Sequence, residues 1–333
     1  MEFRTKVKFF PPAKPIEWDS NTLLLGSCFS DEIGNKMILN KFHCIVNPFG
    51  TLYSPSSVFQ ILQILLNNES DIQQYSFEND GIFSNWLFST TFSSPDQERC
   101  TNKIKKVYDV VSKSLDSLDC LFLTWGTPYF YTLKNTDFVV SNCLKQSKDL
   151  FDVHIASVGE LVAKGIDVFK ELFERRRNLH IVQTVSPYRY LNYGLHENNL
   201  CKSTLLLFSD ALCKEFPQNV SYFPSFEILQ DELRDYRFYA SDMLHPSQQA
   251  VEYVWDLLKD NWMSSATQQF IEEWTNIRKS LEHRFLGVNV TAQLTFLEKL
   301  LESMVLLGKK YANLAVENEI QTVQEQIKQL KIK

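Results

Sequence analysis

The sequence predicts an α/β fold built on a parallel β-sheet. Short apolar runs alternate with amphipathic stretches from about residue 20 to residue 260, an alternation typical of successive strand–helix–strand units. The runs have the signature of buried strands, and a parallel sheet of such strands is covered by helices on both faces. We therefore expect a doubly wound, flavodoxin-like sheet of about five strands.

Five apolar runs are the candidate strands. The first ends before Ser30, Asp31 and Glu32, which have the polar character of a helix start. The expected strands lie at 22–25, 43–46, 120–124, 180–184 and 220–223. The main expected helices lie at 57–66, at 150–176, at 199–216, and from Pro246 to about residue 258, with Pro246 as the first helical residue.

Two regions depart from this alternation. A long insertion at about 51–118 contains an aromatic-rich stretch, expected to be core, in which Trp86 and Phe88 are also candidates for lining an acyl or sugar pocket. After Trp262 the pattern changes, with no further proline and no strand signal. We expect one domain at 1–262, including the insertion, and a helical extension at 263–333.

The helical extension carries a heptad-like pattern. Apolar residues near its end are separated by steps of four, three, four and three, as at the a and d positions of a coiled coil. These residues are Val316, Ile320, Val323, Ile327 and Leu330. We expect the extension to pack on its own domain, and a homodimer contact through these helices is the alternative.

The composition argues against several classes of protein. Forty acidic residues against 34 basic residues give a net charge of −6, which disfavours a dedicated nucleic-acid surface. There is no apolar signal region at the start and no run of 18 apolar residues, so no membrane association is expected. The seven cysteines include no CxxC pair, which indicates reduced thiols in a cytoplasmic protein. No phosphate loop or GxGxxG pattern occurs, and no metal or organic cofactor is expected.

The loops that follow the expected strands carry small and polar residues. Ligands bind beyond the carboxyl ends of the strands in an open parallel sheet, so these loops are where a site is expected. Glycine is scarce, at ten of 333 residues, yet Gly26, Gly50 and Gly126 all fall in these loops. The loops lie at 26–30, 47–50, 125–128, 186–190 and 242–246.

Ser27 is a candidate nucleophile. It stands on an expected strand-to-helix turn, where the helix start supplies N–H donors for a developing oxyanion. Leu25 and Phe29 replace the glycines of a GxSxG elbow, so that motif is absent. The alternative is a serine that only caps the helix, a role open equally to Ser30.

Asp242 and His245 are a candidate acid–base pair. Their spacing of three lets the carboxylate hold one imidazole nitrogen while the other nitrogen faces a nucleophile, as a Ser-His-Asp triad requires. The alternative is an aspartate turn followed by a histidine at a helix entry. Together with Ser27, which is expected at the same crevice, the pair favours nucleophilic hydrolysis.

These segments resemble the GSCFA family, within the SGNH or GDSL-like hydrolase superfamily. The resemblance covers about residues 3–262, and it is specific because many separated motifs keep one order. It implies a three-layer α/β/α SGNH fold. The motifs lie at 25–29 (LGSCF), 47–50 (NPFG), 124–127 (TWGT), 141–143 (SNC), 184–187 (TVSP), 196–204, 231–239 and 242–247 (DMLHPS).

The resemblance implies roles for particular residues. The superfamily's nucleophile matches Ser27, its general base matches His245, and the acid of its triad matches Asp242. Its oxyanion donors are the nucleophile's own amide, a glycine after the second strand, which is Gly50 here, and an asparagine after the third strand.

Two positions depart from the superfamily pattern. After the third strand there is Gly126 but no GxND asparagine, so Asn142 and Asn47 are the candidates to complete the oxyanion hole. The usual GDS motif is GSC in this chain, which makes Cys28 an alternative nucleophile. A nucleophilic thiolate requires a lowered thiol pKa.

Further polar residues are candidates for substrate binding. A set of polar and cationic side chains in the same loops suits an anionic or polyhydroxylated substrate, although residues 198–202 are equally suited to starting a helix. The segment 231–238 alternates acids and arginines and is expected to form a structural ion-pair network. The candidate substrate contacts are Thr127, Arg189, His196, Asn199 and Lys202.

The sequence therefore predicts an SGNH-type serine esterase that hydrolyses a small or carbohydrate-linked ester, an O-acetyl ester being one case. Ser27 would attack the carbonyl, with His245 as base and Asp242 orienting it. Two alternatives stay open: an O-acyltransferase with the same triad, and a non-catalytic carbohydrate- or peptide-binding protein on a hydrolase scaffold. The expected partner is the ester substrate, with no metal, nucleic acid or membrane.

Overall fold

A five-stranded parallel sheet forms the centre of the computed structural model, which describes residues 4–69, 71–285 and 289–332. The strands of the described residues are β1 (Thr22–Gly26), β2 (Cys44–Val46), β3 (Ser76–Asn79), β4 (Ile82–Asn85), β5 (Cys120–Trp125), β6 (Tyr129–Leu133), β7 (Val139–Val140), β8 (Phe151–Ile155), β9 (His180–Val185) and β10 (Val220–Tyr222). The central sheet has the order β10-β9-β5-β1-β2 with parallel pairing throughout. Counting these five strands alone, the order is the flavodoxin-like 2-1-3-4-5, so the predicted fold class is confirmed.

Helices surround this sheet. They are α1 (Cys28–Leu39), α2 (Pro55–Leu66), α3 (Gln97–Ser114), α4 (Val158–Arg175), α5 (Leu195–Glu215), α6 (Ser225–Glu227), α7 (Gln248–Trp262), α8 (Ser265–Leu281), α9 (Val290–Lys310) and α10 (Glu317–Ile332). The single turn α6 continues into a π-helical turn at Ile228–Leu233. Short 3₁₀ turns lie at Ile72–Tyr75, Thr90–Phe92, Leu115–Ser117, Lys148–Leu150 and Tyr236–Phe238. Within the described ranges, no helix combines the length and the hydropathy that crossing a bilayer would require.

Successive residues of β1 point into two different cores. Leu23 and Leu25 pack in the core that helices α2, α3, α4 and α5 cover. Leu24 points the other way, into the core covered by α1 and by α7 through α10. All three leucines have no exposed surface, which explains why the strands are continuous apolar runs instead of alternating ones.

The C-terminal helices belong to the second of these cores. Trp274 of α8 donates its indole N–H to the carbonyl of Leu39 at the end of α1, at 2.8 Å. Val316, Val323 and Ile327 of the heptad-like pattern are buried against this core. The predicted helical appendage is confirmed, and packing within the chain accounts for most of its apolar stripe. The homodimer contact stays a prediction.

Several predicted helix boundaries are wrong. The helix expected at 150–176 starts only at Val158, because Phe151–Ile155 is strand β8, paired with β6. Helix α5 begins at Leu195, four residues before the expected start. Pro246 precedes α7, because it forms a bridge with Tyr239 and Ser247 then caps the helix.

The insertion between β2 and β5 is a folded part of the domain. It supplies α2, which was predicted, and the β3–β4 hairpin and α3, which were not. Trp86 stacks on Phe77 with ring centroids 3.7 Å apart, and Phe88 packs against Phe49 at 5.1 Å. Both Trp86 and Phe88 are buried, which favours the core interpretation of the aromatic stretch over a pocket.

A substitution at Gly26 tests the close approach of β1 to β5. Gly26 has a φ of +146°, and an added Cβ would lie 2.3 Å from the carbonyl oxygen of Thr124. We expect Gly26→Ala to lower the free energy of unfolding by about 3 kcal/mol or more, measured by urea denaturation. Gly159→Ala is the control, because a Cβ there meets no atom within 4 Å, and we expect a change below about 1 kcal/mol. Equal effects of the two substitutions would contradict this account.

Candidate active site

Ser27 lies at the junction of β1 and α1. It is the N-cap residue of α1 with extended backbone, and its side chain does not cap the helix. Its Cβ lies beside Gly126, since a Cβ built on that glycine would be 3.4 Å away. The residue is only 1% exposed, and its hydroxyl is buried without a hydrogen-bond partner in the described residues. A buried hydroxyl without a partner is costly, and such groups occur at functional sites.

Asn47 holds this junction together. Its side-chain oxygen accepts the N–H of Gly26 at 2.9 Å, and its side-chain N–H donates to Asp31 of α1 at 2.8 Å. Its own backbone is left-handed, with a φ of 39°. Both ends of the Asn47 amide are therefore engaged in fixing the turns after β1 and β2, which gives the residue a positioning role.

The expected oxyanion donors are paired with backbone carbonyls. The amide of Ser27 donates to Thr124 at 3.0 Å, that of Gly50 to Asn47 at 2.8 Å, and that of Gly126 to Tyr53 at 2.9 Å. The side-chain oxygen of Asn142 accepts the amide of Leu144 at 2.8 Å. The oxyanion hole therefore stays a prediction. In this conformation, each of the three amides would have to break its hydrogen bond to a backbone carbonyl before it could bind an oxyanion.

The start of α1 offers other donors. The first N–H groups of a helix have no acceptor within the helix, and this applies to the amides of Cys28 and Phe29. The partial positive charge of the helix start lies at the same place. The sequence predicted that the helix start after Ser27 would supply N–H donors, but it did not single out these two amides.

Asp242 and His245 form the expected pair. The carboxylate accepts from His245 Nδ1 at 2.5 Å, while its other oxygen accepts the backbone amides of Leu244 and His245 at 2.9 and 3.0 Å. The hydrogen bond from the His245 side chain, followed by the two amides, lowers the pKa of Asp242 to about 2. Asp242 is thus ionised at neutral pH, and it fixes the imidazole with the Nε2 nitrogen turned away from the carboxylate.

Tyr188 packs against the histidine of the candidate site. Its ring packs on His245 with centroids 4.4 Å apart. Burial raises the pKa of Tyr188, and Cys28, Tyr53 and Asp242 contribute in the same direction. The structure brings Asp242 and His245 together but does not join His245 to the Ser27 hydroxyl. Tyr188 was not predicted as a site residue.

The thiol of Cys28 does not have the low pKa of a nucleophilic cysteine. Burial raises its pKa to about 11, and the charges of Asp31 and Glu32 contribute in the same direction. A thiol with such a pKa is protonated at neutral pH, whereas a cysteine nucleophile acts as the thiolate. This disfavours the alternative in which Cys28 replaces Ser27.

Lys202 is buried at the centre of the site. Its ammonium nitrogen donates to the carbonyls of Gly126 and Ser186, at 2.9 and 2.8 Å, so it joins the loops that follow β5 and β9. Burial lowers the pKa of Lys202 to about 7. The two carbonyls match the two N–H groups of a neutral amine. Lys202 therefore connects two loops through hydrogen bonds, and it is not exposed for contact with a substrate.

The other candidate substrate contacts are scattered. The hydroxyl of Thr127 is buried and accepts the amide of Tyr129 at 3.3 Å. His196 and Asn199 are exposed in the first turns of α5. The guanidinium of Arg189 lies beside the rings of Tyr236 and Tyr239.

The predicted ion-pair network at 231–238 is smaller than expected. Arg237 pairs with Asp235 at 2.8 Å. Glu232 instead accepts hydrogen bonds from the hydroxyl of Tyr253 and from the amide of Val7. Arg234 forms no ion pair with any described residue.

The fold and these side chains define an α/β protein with a serine at the junction of β1 and α1 and an aspartate–histidine pair in the loop before α7. The model of the GSCFA family matches residues 21–257, and the model described as the C-terminal domain of GSCFA domain proteins matches residues 274–329. The chain belongs to the GSCFA family.

One solved structure is similar at the level of the chain trace. It is described as that of "a putative platelet activating factor from Streptococcus pneumonia", with 13% identity and a TM-score of 0.38 over 73% of this chain and 83% of that chain. Values this low carry no argument about function. No curated protein matches the sequence.

The buried amine of Lys202 makes stability depend on pH in a defined window. Its pKa is about 7 in the folded chain against an ordinary value of 10.5, so between these values the unfolded chain holds a proton that the folded chain has lost. Its contribution to the free energy of unfolding therefore rises from pH 7 toward pH 10, and is constant below pH 7. We expect the wild type to gain stability over Lys202→Met between pH 7 and 9.5, by urea denaturation.

Lys214→Met is the control for this measurement. Lys214 is exposed on the same helix, so its substitution should leave the pH dependence of the wild type unchanged. Parallel pH profiles for the wild type and Lys202→Met would show that the folded chain keeps this lysine protonated.

Proposed function

We propose that this chain is a serine hydrolase of the SGNH type that cleaves a small or carbohydrate-linked ester. The observation that carries the proposal is the Asp242–His245 pair, in which Nδ1 of the imidazole lies 2.5 Å from the carboxylate. A carboxylate on Nδ1 leaves the Nε2 nitrogen of the imidazole as the proton acceptor, which is the arrangement that a serine nucleophile needs.

In the proposed reaction His245 takes the proton of the Ser27 hydroxyl as the oxygen attacks the ester carbonyl. The oxyanion is stabilised at the start of α1, where helix amides and the helix dipole favour negative charge. His245 then passes its proton to the departing alcohol, which leaves an acyl-Ser27 intermediate. Water, deprotonated by His245, attacks this acyl group and releases the acid.

The proposal requires a rearrangement before the chemical step. The Ser27 hydroxyl is buried and forms no hydrogen bond with His245, whose ring packs against Tyr188. Catalytic hydrogen bonds often tighten only when the substrate is bound. We propose that the substrate displaces the Tyr188 ring, which opens access to Ser27 and lets the imidazole reach it.

Two alternatives keep the same residues. In an O-acyltransferase the hydroxyl of an acceptor takes the place of water, and the products alone distinguish the two reactions. In a non-catalytic carbohydrate- or peptide-binding protein Ser27 would stay enclosed, which its burial and the paired amides of Ser27, Gly50 and Gly126 favour.

We further propose a cytoplasmic location. All seven cysteines are free thiols, of which Cys100, Cys120 and Cys201 are buried. Disulfides persist in oxidising compartments, whereas reduced thiols are usual in the cytosol.

Covalent labelling with a fluorophosphonate separates the catalytic alternatives from the binding protein. We expect an adduct on Ser27, located by mass spectrometry of the digested full chain, that is absent in Ser27→Ala. We expect His245→Ala to slow labelling by about 10² or more, since a general base contributes at least that factor. Ser203→Ala, on the exposed face of α5, is the control and should label at the wild-type rate.

The same labelling experiment tests whether Cys28 is the nucleophile, and it tests the proposed function as a whole. Cys28→Ala should label on Ser27 as the wild type does. If folded wild-type protein formed no adduct at Ser27, or if acetyl esters were hydrolysed equally by Ser27→Ala, the proposed hydrolase would be wrong.

A further inference from the structure

A cavity lies on the outer side of the His245 loop. Its volume is about 290 Å³, which holds roughly ten water molecules at about 30 Å³ each, or a group of the size of one sugar. The residues that line it come from the loop after β9, the start of α5 and the segment that follows the π-helical turn. Those that matter here are Arg189, Asn198, Asn199, Arg234, Tyr236 and Tyr239.

Two guanidinium groups of this cavity have no carboxylate partner. Neither Arg189 nor Arg234 forms an ion pair with any described residue, and the nearby carboxylate of Asp235 is taken by Arg237 at 2.8 Å. By contrast, Arg175 and Arg176 at the end of α4 each pair with an aspartate. Asp235 also lines the cavity, but its carboxylate is paired with Arg237, so the two arginines give the cavity a net positive charge.

Arg189 is held in place before any ligand arrives. Its guanidinium lies 5.6 and 5.5 Å from the ring centroids of Tyr236 and Tyr239, and it donates to the Tyr236 hydroxyl at 3.4 Å. The Tyr239 hydroxyl in turn accepts from Gln230 at 3.0 Å. An arginine fixed in this way loses little side-chain entropy on binding and presents a planar fork suited to a carboxylate or phosphate.

Arg234 has an unusual backbone. It ends the π-helical turn with a φ of 38°, in the left-handed region that non-glycine residues rarely adopt. Such strain costs of order 1 kcal/mol or more and occurs most often at binding and active sites. Here it coincides with a second unpaired arginine at the same cavity.

Amide side chains complete the lining. Asn198 is 4% exposed and accepts the amide of Tyr190 at 2.8 Å, and it donates to Asn199 at 3.4 Å. Asn199 and Gln230 add further amide donors and acceptors at the cavity. Amides of this kind bind hydroxyl groups, whereas the two arginines bind a negative charge.

The cavity is joined to the proposed catalytic histidine. Arg189 donates its amide to the carbonyl of Leu244 at 3.1 Å, and Tyr239 is bridged to Pro246, so the two neighbours of His245 are both tied to this cavity. In an ester hydrolysis the histidine gives its proton to the departing alcohol. The alcohol part of the ester is thus the part that lies on the His245 side.

We propose that this cavity, the anion subsite, binds the alcohol part of the substrate and that this part is an anionic sugar. The substrate class is then an O-acyl ester of a sugar that carries a carboxylate or a phosphate. Arg189 and Arg234 bind the charged group, and the exposed amide of Asn199, which Asn198 holds in place, binds a ring hydroxyl. The catalytic meaning of the subsite rests on the proposed function, but its binding of an anion does not.

Calorimetric titration of the full chain tests the subsite with three probes: D-glucuronate, D-glucose 6-phosphate and uncharged D-glucose. We expect at least one of the charged sugars to bind at least tenfold more tightly than glucose, and the stronger of the two identifies the anion. We expect Arg189→Gln and Arg234→Gln each to weaken that binding about tenfold or more. Arg189→Lys should not restore it, because an ammonium lacks the planar fork.

Arg177→Gln is the matched control, because it removes the same charge from an exposed arginine at the end of α4, away from the cavity. Circular dichroism establishes that each variant is folded. Binding of glucose as tight as that of both charged sugars, or undiminished binding by folded Arg189→Gln and Arg234→Gln, would overturn the proposal.

Ser27→Ala distinguishes this proposal from the proposed function. We expect it to bind the charged sugar as the wild type does. Anion binding with no fluorophosphonate adduct at Ser27 would leave the subsite standing and reject the hydrolase. An adduct at Ser27 with no anion binding would reject the subsite and leave the hydrolase standing.

Discussion

The structure depends on the burial of both faces of its parallel sheet. Leu23 and Leu25 point into one core and Leu24 into the other, so each face must be covered by helices. Helices α2 to α5 complete the first core, while the second draws on α1, α7 and the three C-terminal helices. The C-terminal region is therefore structural, because Trp274 and Val323 fill space over the sheet that would otherwise contact water. Two separate family models match the chain, yet one core joins the regions that they match.

The candidate site has two parts: Ser27, which is fixed by the turns of the sheet, and the Asp242–His245 pair, which lies on a loop. Asn47 and Lys202 tie together the turns after β1, β2, β5 and β9, which fixes Ser27 from several sides. His245 and Asp242 instead lie on a half-exposed loop before α7 and are joined to the rest through Arg189 and Tyr188. The two halves of the candidate site are therefore positioned by different parts of the fold.

The sequence predicted features that depend on neighbouring residues well. It predicted poorly the features that depend on contacts between residues far apart in the chain. The five buried strands and the Asp242–His245 spacing are local patterns, and the structure contains both. Strand β8 was missed because its pairing with β6 is what makes Phe151–Ile155 extended. The same limit applies to the oxyanion donors, since the partner of the Gly126 amide is Tyr53, more than seventy residues earlier in the chain. Similarly, the alternating charges around Arg234 suggested ion pairs, but among the described residues Arg234 has no ion-pair partner.

The outermost strands of the central sheet have a further consequence. β2 and β10 contain three residues each, against five or six in the strands between them. A short edge strand offers few unpaired N–H and C=O groups to a strand of another molecule. At β10 the Ser221 hydroxyl also accepts the amide of Ala13 at 2.8 Å, so the N-terminal segment runs alongside that edge. The sheet is thus protected at its margins against edge-to-edge aggregation, although its interior is among the most apolar parts of the chain.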